Sequence, residues 1–584
     1  MKRLLIYVHF NKYDYISPHV RYQLQEMRHL FSHVLFVSNS PISEDKLASL
    51  YEAHLIDDSL LRGNIGYDFA AWRDGLSHIG YEVLADYDSL TLMNDTCFGP
   101  LWDLAPYYER FEADESIDYW GITNHRAVPE VSIPEHVQSY FACYKKDMAT
   151  SQVFKDFWSQ VEDFTDVQQV IDNYEIQATK LFTEAGYTYG VLFNTVGKMG
   201  DKEGHANFSN CYPDILLDNR IPFIKVKAFG LNEVLAPYFF DLVSDLTTYP
   251  IELIVSHMSD VSYPDRPYLL GQKLLPESHQ IRISDASPKK IAVHLHAFYV
   301  DLVPDFLEAF QASITQPYDL YITTDTNEKA DEITGILAEN QITAKILVTG
   351  SRGRDIWPML QLKDDLSEYD YIGHFHTKKS TLVNHLVGES WRRDLMAMLI
   401  DRSQDIFEAF DDETIGIVIA DIPRFFRYTD TLGAISEESV VPAMTNLWKK
   451  MKLEKTIDFS TFVTFVMSYG TFIWFKYDAL APLFELGLTE DDIPQEPLPQ
   501  GSLLHAIERM FVYIAWSKHY DFRISSLLPP LPAFVDDKVL QKRLQFDESA
   551  GLKRYLRETV YVTKKIPRLT ARQLKHAIKR IIKR

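Results

Sequence analysis

Residues 4–14 read LLIYVHFNKYD, and residues 291–301 read IAVHLHAFYVD. Each is a short apolar, β-rich run that breaks into polar residues, the pattern of a buried strand. The segments downstream of the two runs match as well. A helix-like segment comes first (19–31 and 304–313), then a second strand, HVLFVSNS (33–40) or YDLYITTDT (318–326). DKLASLYEA (45–53) pairs with ADEITGILAEN (330–340), and the third strands AHLIDD (53–58) and AKILVTG (344–350) lead into glycine-containing loops. Those loops are RGNIGYDFAAW (62–72) and GSRGRDIWPML (350–360), and each precedes a fourth strand, YDSLTLMNDT (87–96) and YDYIGHFHTKK (369–379).

The register between the halves holds: His9 and His296, Gly66 and Gly353, and Asp68 and Asp355 are each 287 residues apart. Later segments match less cleanly, DYWGIT (118–123) with TIGIVIA (414–420) and SYFACYKKDM (139–148) with YGTFIWFKYDAL (469–480). A helical pattern closes each half, at 172–187 and 501–515. Strand–helix alternation at this spacing predicts an α/β protein of two tandem units, each a mostly parallel sheet with right-handed crossovers. The expected limits are 1–285 for the first unit, 286–545 for the second and 546–584 for a basic tail.

Composition bounds the function. A chain of 584 residues exceeds one ordinary core. Its net charge of -23 argues against nucleic acid as a partner. Three cysteines, Cys97, Cys143 and Cys211, are too few and too scattered for a disulfide framework or a zinc site, which fits a reducing compartment. The opening apolar run is too short for a signal sequence, and no stretch approaches the ~18 apolar residues of a spanning helix. The expected location is therefore cytoplasmic. Between Lys553 and Arg584 stand twelve Lys or Arg and one acid, Glu558. There Leu574, Ala577, Ile578, Ile581 and Ile582 share one helical face, which reads as an amphipathic helix for an anionic membrane surface; the other reading is a disordered basic end.

In parallel sheets, ligands bind at the carboxyl ends of strands. Four motifs fall there. In NIGYDFAAWRDGL, Asn64 and Gly66 suit a turn that brings backbone close to a ligand, and Asp68 either accepts from a nucleoside or caps the next helix. In LTLMNDTCFGP, Asn94 stands beside Asp95, which either holds Mg²⁺ or Mn²⁺ against a diphosphate or closes an Asx-turn. In the second half, Gly353, Arg354 and Asp355 repeat the loop. GHFHTKKS there offers His374, His376, Thr377, Lys378, Lys379 and Ser380, cationic donors able to hold phosphates without metal. PFIKVKAF (222–229) supplies Lys225 and Lys227 for the same task in the first half. Transfer of a sugar with inversion needs one base for the acceptor hydroxyl. Glu175 is the candidate in the first half, and Glu508 with His505 in the second; for each the alternative is a solvated helix charge.

The order NIGYDFAAWRDGL, YDSLTLMNDTCFGP, DYWGIT, HVQSYFACYKKDM, followed by SRGRDIWPML, YDYIGHFHTKKS, SWRRDL, IGIVIA, LLHAIER, resembles the rhamnan synthesis protein F family over nearly the whole chain except the tail. The N-x-G loop and the strand ending in NDT are also similar to GT-A glycosyltransferases of the large inverting class. The resemblance implies two GT-A-like domains, dTDP-L-rhamnose as donor and inverting transfer onto a rhamnose-containing cell-wall polysaccharide; the tail adds the expectation of a lipid-linked acceptor at the inner face of the plasma membrane. It carries over Asp68, Asn94 and Asp95 in the first half and Arg354, Asp355, His376, Thr377, Lys378 and Lys379 in the second. Neither strand-end motif, NDT nor HTKK, is a full Asp-x-Asp, which leaves metal use open. Two other classes remain: a glycan-binding scaffold with degenerate domains, and a sugar-phosphate transferase of teichoic-acid-like polymers.

Overall fold

The computed structural model describes residues 1–198, 205–276, 289–377, 379, 385–428, 434–462, 465–499 and 501–529. Its contacts divide the chain into two units, Met1–Ser262 with Pro267–Leu269, and Tyr263–Arg266 with Leu270–Arg584.

The first unit contains β1 (Arg3–His9), β2 (His33–Ser38), β3 (Asp58–Leu61), β4 (Ser89–Asn94), β5 (Cys97–Phe98), β6 (Tyr119–His125), β7 (His136–Val137), β8 (Phe141–Lys145), β9 (Tyr189–Phe193) and β10 (Ile224–Lys225). The main sheet runs β3-β2-β1-β4-β8-β6-β7, with β9 beside β6. β3, β2, β1 and β4 are parallel, β8 is antiparallel between β4 and β6, and β9 is parallel to β6. Leu4 to Val8 are all buried, because helices cover both faces and a parallel strand must be apolar on each. β5 and β10 form a separate two-stranded ladder.

The second unit contains β11 (Ile291–His296), β12 (Asp319–Thr324), β13 (Lys345–Val348), β14 (Tyr371–His376), β15 (Ile415–Ala420), β16 (Ile473–Phe475) and β17 (Asp521–Ser525). Its order is β13-β12-β11-β14-β16-β15-β17. With β7 set aside, this is the path β3-β2-β1-β4-β8-β6-β9, with the same single antiparallel strand in the fifth place. The expected mostly parallel α/β architecture in two units is present.

The matched glycine loops share a backbone. Gly66 and Tyr67 have φ of 71° and 52°, and Gly353 and Arg354 have φ of 82° and 52°. Two successive left-handed residues turn the chain sharply into the helices Tyr67–Ile79 and Ile356–Leu360.

Two expectations change. The third strand of the first unit is Asp58–Leu61, not 53–58; Leu55 and Ile56 are buried as loop residues in the core. Residues 270–276 belong to the second unit rather than the first. Buried Lys273 donates to Asp521 at 2.7 Å and Leu274 bridges to Ile524, long-range contacts with no signature in the local sequence. The basic tail lies outside the described residues. Among the described residues no helix is long and apolar enough to cross a membrane.

Candidate functional site

At the carboxyl end of the first sheet, the glycine turn and the end of β4 meet. Asn94 Nδ2 donates to Asp68 Oδ2 at 2.9 Å. The N-cap position of that helix is Gly66; Asp68 sits in its first turn, where Oδ1 accepts from Phe69 N at 3.1 Å while Oδ2 serves Asn94. Asn94 Oδ1 accepts from Thr96 N at 3.3 Å and Thr96 Oγ1 at 2.6 Å, so the Asx-turn belongs to Asn94. Asp95 is left to accept from Phe10 N at 2.9 Å, across the end of β1. Lys225 Nζ donates to Thr96 Oγ1 at 2.8 Å and lies 4.4 Å from the Tyr140 ring centroid. Asn64 accepts from Asn39 Nδ2 at 3.2 Å and braces the loop. Lys227 is exposed and has no hydrogen-bond partner among the described residues.

Glu175 ends a π-helical turn, Ile171–Glu175, just before the helix Ile176–Glu184. Its Oε1 accepts from Ser139 N at 3.2 Å and Ser139 Oγ at 2.9 Å. Oε2 has no hydrogen-bond partner among the described residues.

The electrostatics join these groups. Burial raises Asp68 to about 6, Glu175 pushes the same way, and Asn94 and Lys225 oppose both. Burial raises Asp95 to about 7, with Asp68 adding to the rise and Phe10 N and Lys225 opposing it. Each carboxyl thus feels its neighbours, and Lys225 is the cation common to both. Such paired carboxyls with raised pKa fit a divalent cation, which one or two carboxylates hold with water and phosphate oxygens. Among the described residues no three His, Cys, Asp or Glu are grouped to hold a metal by themselves.

The second unit uses the same places differently. Asp355 stands at the start of its helix without capping it. Its Oδ2 accepts from Thr471 Oγ1 and lies 3.3 Å from His374 Nε2. Burial pulls this carboxyl upward, yet His376, His374 and Thr471 outweigh it and hold it well below the usual range. His374 is 0% exposed, so it meets Asp355 and His294 (Nδ1 to Nδ1, 2.9 Å) instead of a ligand. Burial keeps His294 and His296 neutral, and both bond Thr323 Oγ1 at 2.9 Å. His376 Nε2 is 2.6 Å from Gly470 O, and buried Thr377 Oγ1 accepts from Tyr299 N at 2.8 Å. Lys379 pairs with Asp301 at the surface. Lys378 and Ser380 lie outside the described residues.

Arg354 forms an exposed ion pair with Glu496 at 2.7 Å. Glu508 Oε1 accepts from Gly470 N at 3.1 Å, and its Oε2 is 3.5 Å from Arg509. His505 Nδ1 bonds Ser502 Oγ at 2.8 Å. Ser139, Gly470 and Thr471 escaped sequence reading. Their signal was position: all three immediately precede the matched strands β8 and β16.

A model of the family described as Rhamnan synthesis protein F matches residues 34–520. The uncharacterized protein WxcX of Xanthomonas campestris is 27% identical over 261 residues, 44% of this chain and 35% of that protein. The uncharacterized protein y4gN of Sinorhizobium fredii is 30% identical over 174 residues, 29% of this chain and 43% of that protein. The chain thus spans less than half the length of these curated relatives. Among solved structures, the mannosyltransferase PcManGT of Pyrobaculum calidifontis, in complex with GDP-Man and Mn²⁺, is 13% identical with a TM-score of 0.24, over 42% of this chain and 57% of that one. That score is too low to bear on this chain. The family match runs from the second strand of the first sheet to the threshold of the last strand of the second, across both glycine turns and both strand ends. The chain belongs to the Rhamnan synthesis protein F family.

Proposed function

We propose that the first unit is an inverting glycosyltransferase centre that moves L-rhamnose from dTDP-L-rhamnose to a lipid-linked rhamnan acceptor. The observation that carries this reading is the convergence of Asp68, Asn94, Asp95 and Lys225 at one sheet end, electrostatically coupled to Glu175. Sugar transfer needs a charge partner for a diphosphate leaving group, an acceptor for the nucleoside and a base. Lys225 faces the diphosphate, and Asp68 accepts from the nucleoside. Glu175, oriented by Ser139, takes the acceptor hydroxyl's proton through Oε2. The acceptor oxygen bonds to the sugar's anomeric carbon as the bond to the diphosphate breaks, and dTDP leaves. Mg²⁺ or Mn²⁺ held by Asp95 would neutralise the diphosphate.

The second unit has the same strand path and turn, with cations and a fully ionised Asp355 in place of the raised carboxyl pair. It is a second transfer centre in which Arg354 and Lys379, with Lys378, take the phosphates, Asp355 the nucleoside, and Glu508 with His505 the proton. Glu508's engagement with Arg509 favours a second reading, in which this unit grips glycan without turnover. The basic tail would hold the enzyme to the anionic inner face of the membrane, where lipid-linked acceptors reside.

Separate Asp68→Asn and Asp355→Asn variants test this scheme by the linkages each still makes. Two active centres predict a different linkage lost in each. Full activity of Asp68→Asn for every linkage contradicts the first centre, and full activity of Asp355→Asn reduces the second to gripping.

A further inference from the structure

The amino-terminal edge of the second sheet carries an open cleft of about 760 Å³. Its walls are residues that enter β11, β14, β15 and β17 or leave the antiparallel β16, so all come from the sheet edge opposite Asp355. At ~3.3 Å per residue, the six residues of β14 separate the two places by about 20 Å. The volume lies within the ~300–1,000 Å³ of small-ligand sites.

The lining has a definite chemistry. Tyr369, Tyr371, Tyr477 and Tyr520 border it. Tyr477 is stacked on Phe484, ring centroids 5.1 Å apart, which fixes its plane. The carboxylates are Glu368, Asp370, Asp411, Glu413 and Asp478. Two lysines, Lys289 and Lys476, partly offset them, and Lys476 Nζ is already bound to Asp412 O at 3.0 Å. The net negative charge disfavours phosphates and other anions. Tyr371 is 3% exposed, and its hydroxyl has no hydrogen-bond partner among the described residues. A buried hydroxyl normally has one. Aromatic planes for apolar sugar faces, with carboxylates to accept from hydroxyls, are what a neutral polyol requires.

We propose that this cleft is a second, non-catalytic site that holds a neutral oligosaccharide. That the ligand is a glycan rests on the transferase reading of the family; a cleft separate from the Asp355 site does not. Such a site would keep a growing polymer on the enzyme between transfers.

The test is calorimetric titration of the full chain with neutral hexasaccharides of rhamnose, mannose and glucose, with spermidine, and with dTDP as a separate arm. The variants Glu413→Gln and Asp478→Asn change exposed carboxylates and preserve shape; Tyr477→Phe removes one hydroxyl and keeps the stacked ring. The expected result is saccharide binding weakened at least fivefold by Glu413→Gln and Asp478→Asn, with dTDP binding unchanged. Hexasaccharide binding untouched by both variants, binding of no hexasaccharide, or binding of spermidine alone would each overturn the proposal. Loss of dTDP binding in the unaltered chain counts against the transferase reading instead.

Discussion

Asn94 Nδ2 donates to Asp68 Oδ2 at 2.9 Å, joining the end of β4 to the glycine turn 26 residues before it. That bond makes one site of two loops that sequence presents separately. It also supplies part of the force that keeps Asp68 ionisable against its burial. In the second unit, His374 and Thr471 hold Asp355 in the matching place, and the two carboxyls are driven in opposite directions.

Glu175→Gln keeps an acceptor for Ser139 but removes the base. It should lower kcat by about 10²–10⁴ while dTDP binding stays within twofold. Steady-state kinetics with parallel calorimetry checks this; unchanged kcat removes Glu175 from the chemistry.

The opposite shifts predict opposite effects on stability. Asp68 is raised from its ordinary 3.8 to about 6, so the folded state binds its proton more tightly and stability falls as pH climbs between those values. Asp68→Asn should therefore be more stable than the parent at pH 8, by about 1–2 kcal/mol after allowance for solvent screening, and equal to it near pH 3.8. Asp355 lies below 3.8, so its contribution is present above that pH and is lost as pH falls through its folded value. Asp355→Asn should cost about 1–3 kcal/mol at pH 7, the gap narrowing below pH 3.8. Scanning calorimetry across pH 2–8 measures both.

Lys225 lowers both Asp68 and Asp95. Lys225→Met should move the acid limb of the kcat/KM profile to higher pH and weaken dTDP binding at least tenfold. An unmoved limb would disconnect Lys225 from the carboxyl pair.

Gly66→Ala should destabilise the first unit by about 1–3 kcal/mol. The φ of 71° disfavours any side chain, and an added Cβ would lie 2.4 Å from Ala70 Cβ. Gly353→Ala meets Trp357 Cβ at 2.2 Å and should behave alike in the second unit. Thermal melts of each variant test the equivalence.

The sheets were legible in the sequence because parallel strands are apolar on both faces and the 287-residue spacing repeats. Asp68, Asn94, Asp95 and Lys225 were legible because each ends a strand or occupies a turn next to one. Three features were hidden. Gly470 acts through its backbone N–H, which carries no residue signature, and Ser139 through its N–H and a hydroxyl that an isolated serine does not mark out. His374 reads as a surface cation in GHFHTKKS, but strand alternation points it inward onto Asp355. Lys273 falls inside the limits expected for the first unit, and its partner Asp521 is 248 residues away.

The most direct test is incubation of the full chain with dTDP-L-rhamnose and a lipid-linked rhamnose primer, with dTDP release and glycan linkage monitored by NMR. The expected result is stoichiometric dTDP release with extension of the primer, lost in Asp68→Asn. Absence of dTDP release by the unaltered chain, or extension by Asp68→Asn at the parent rate, would contradict a transfer centre at Asp68, Asp95 and Glu175.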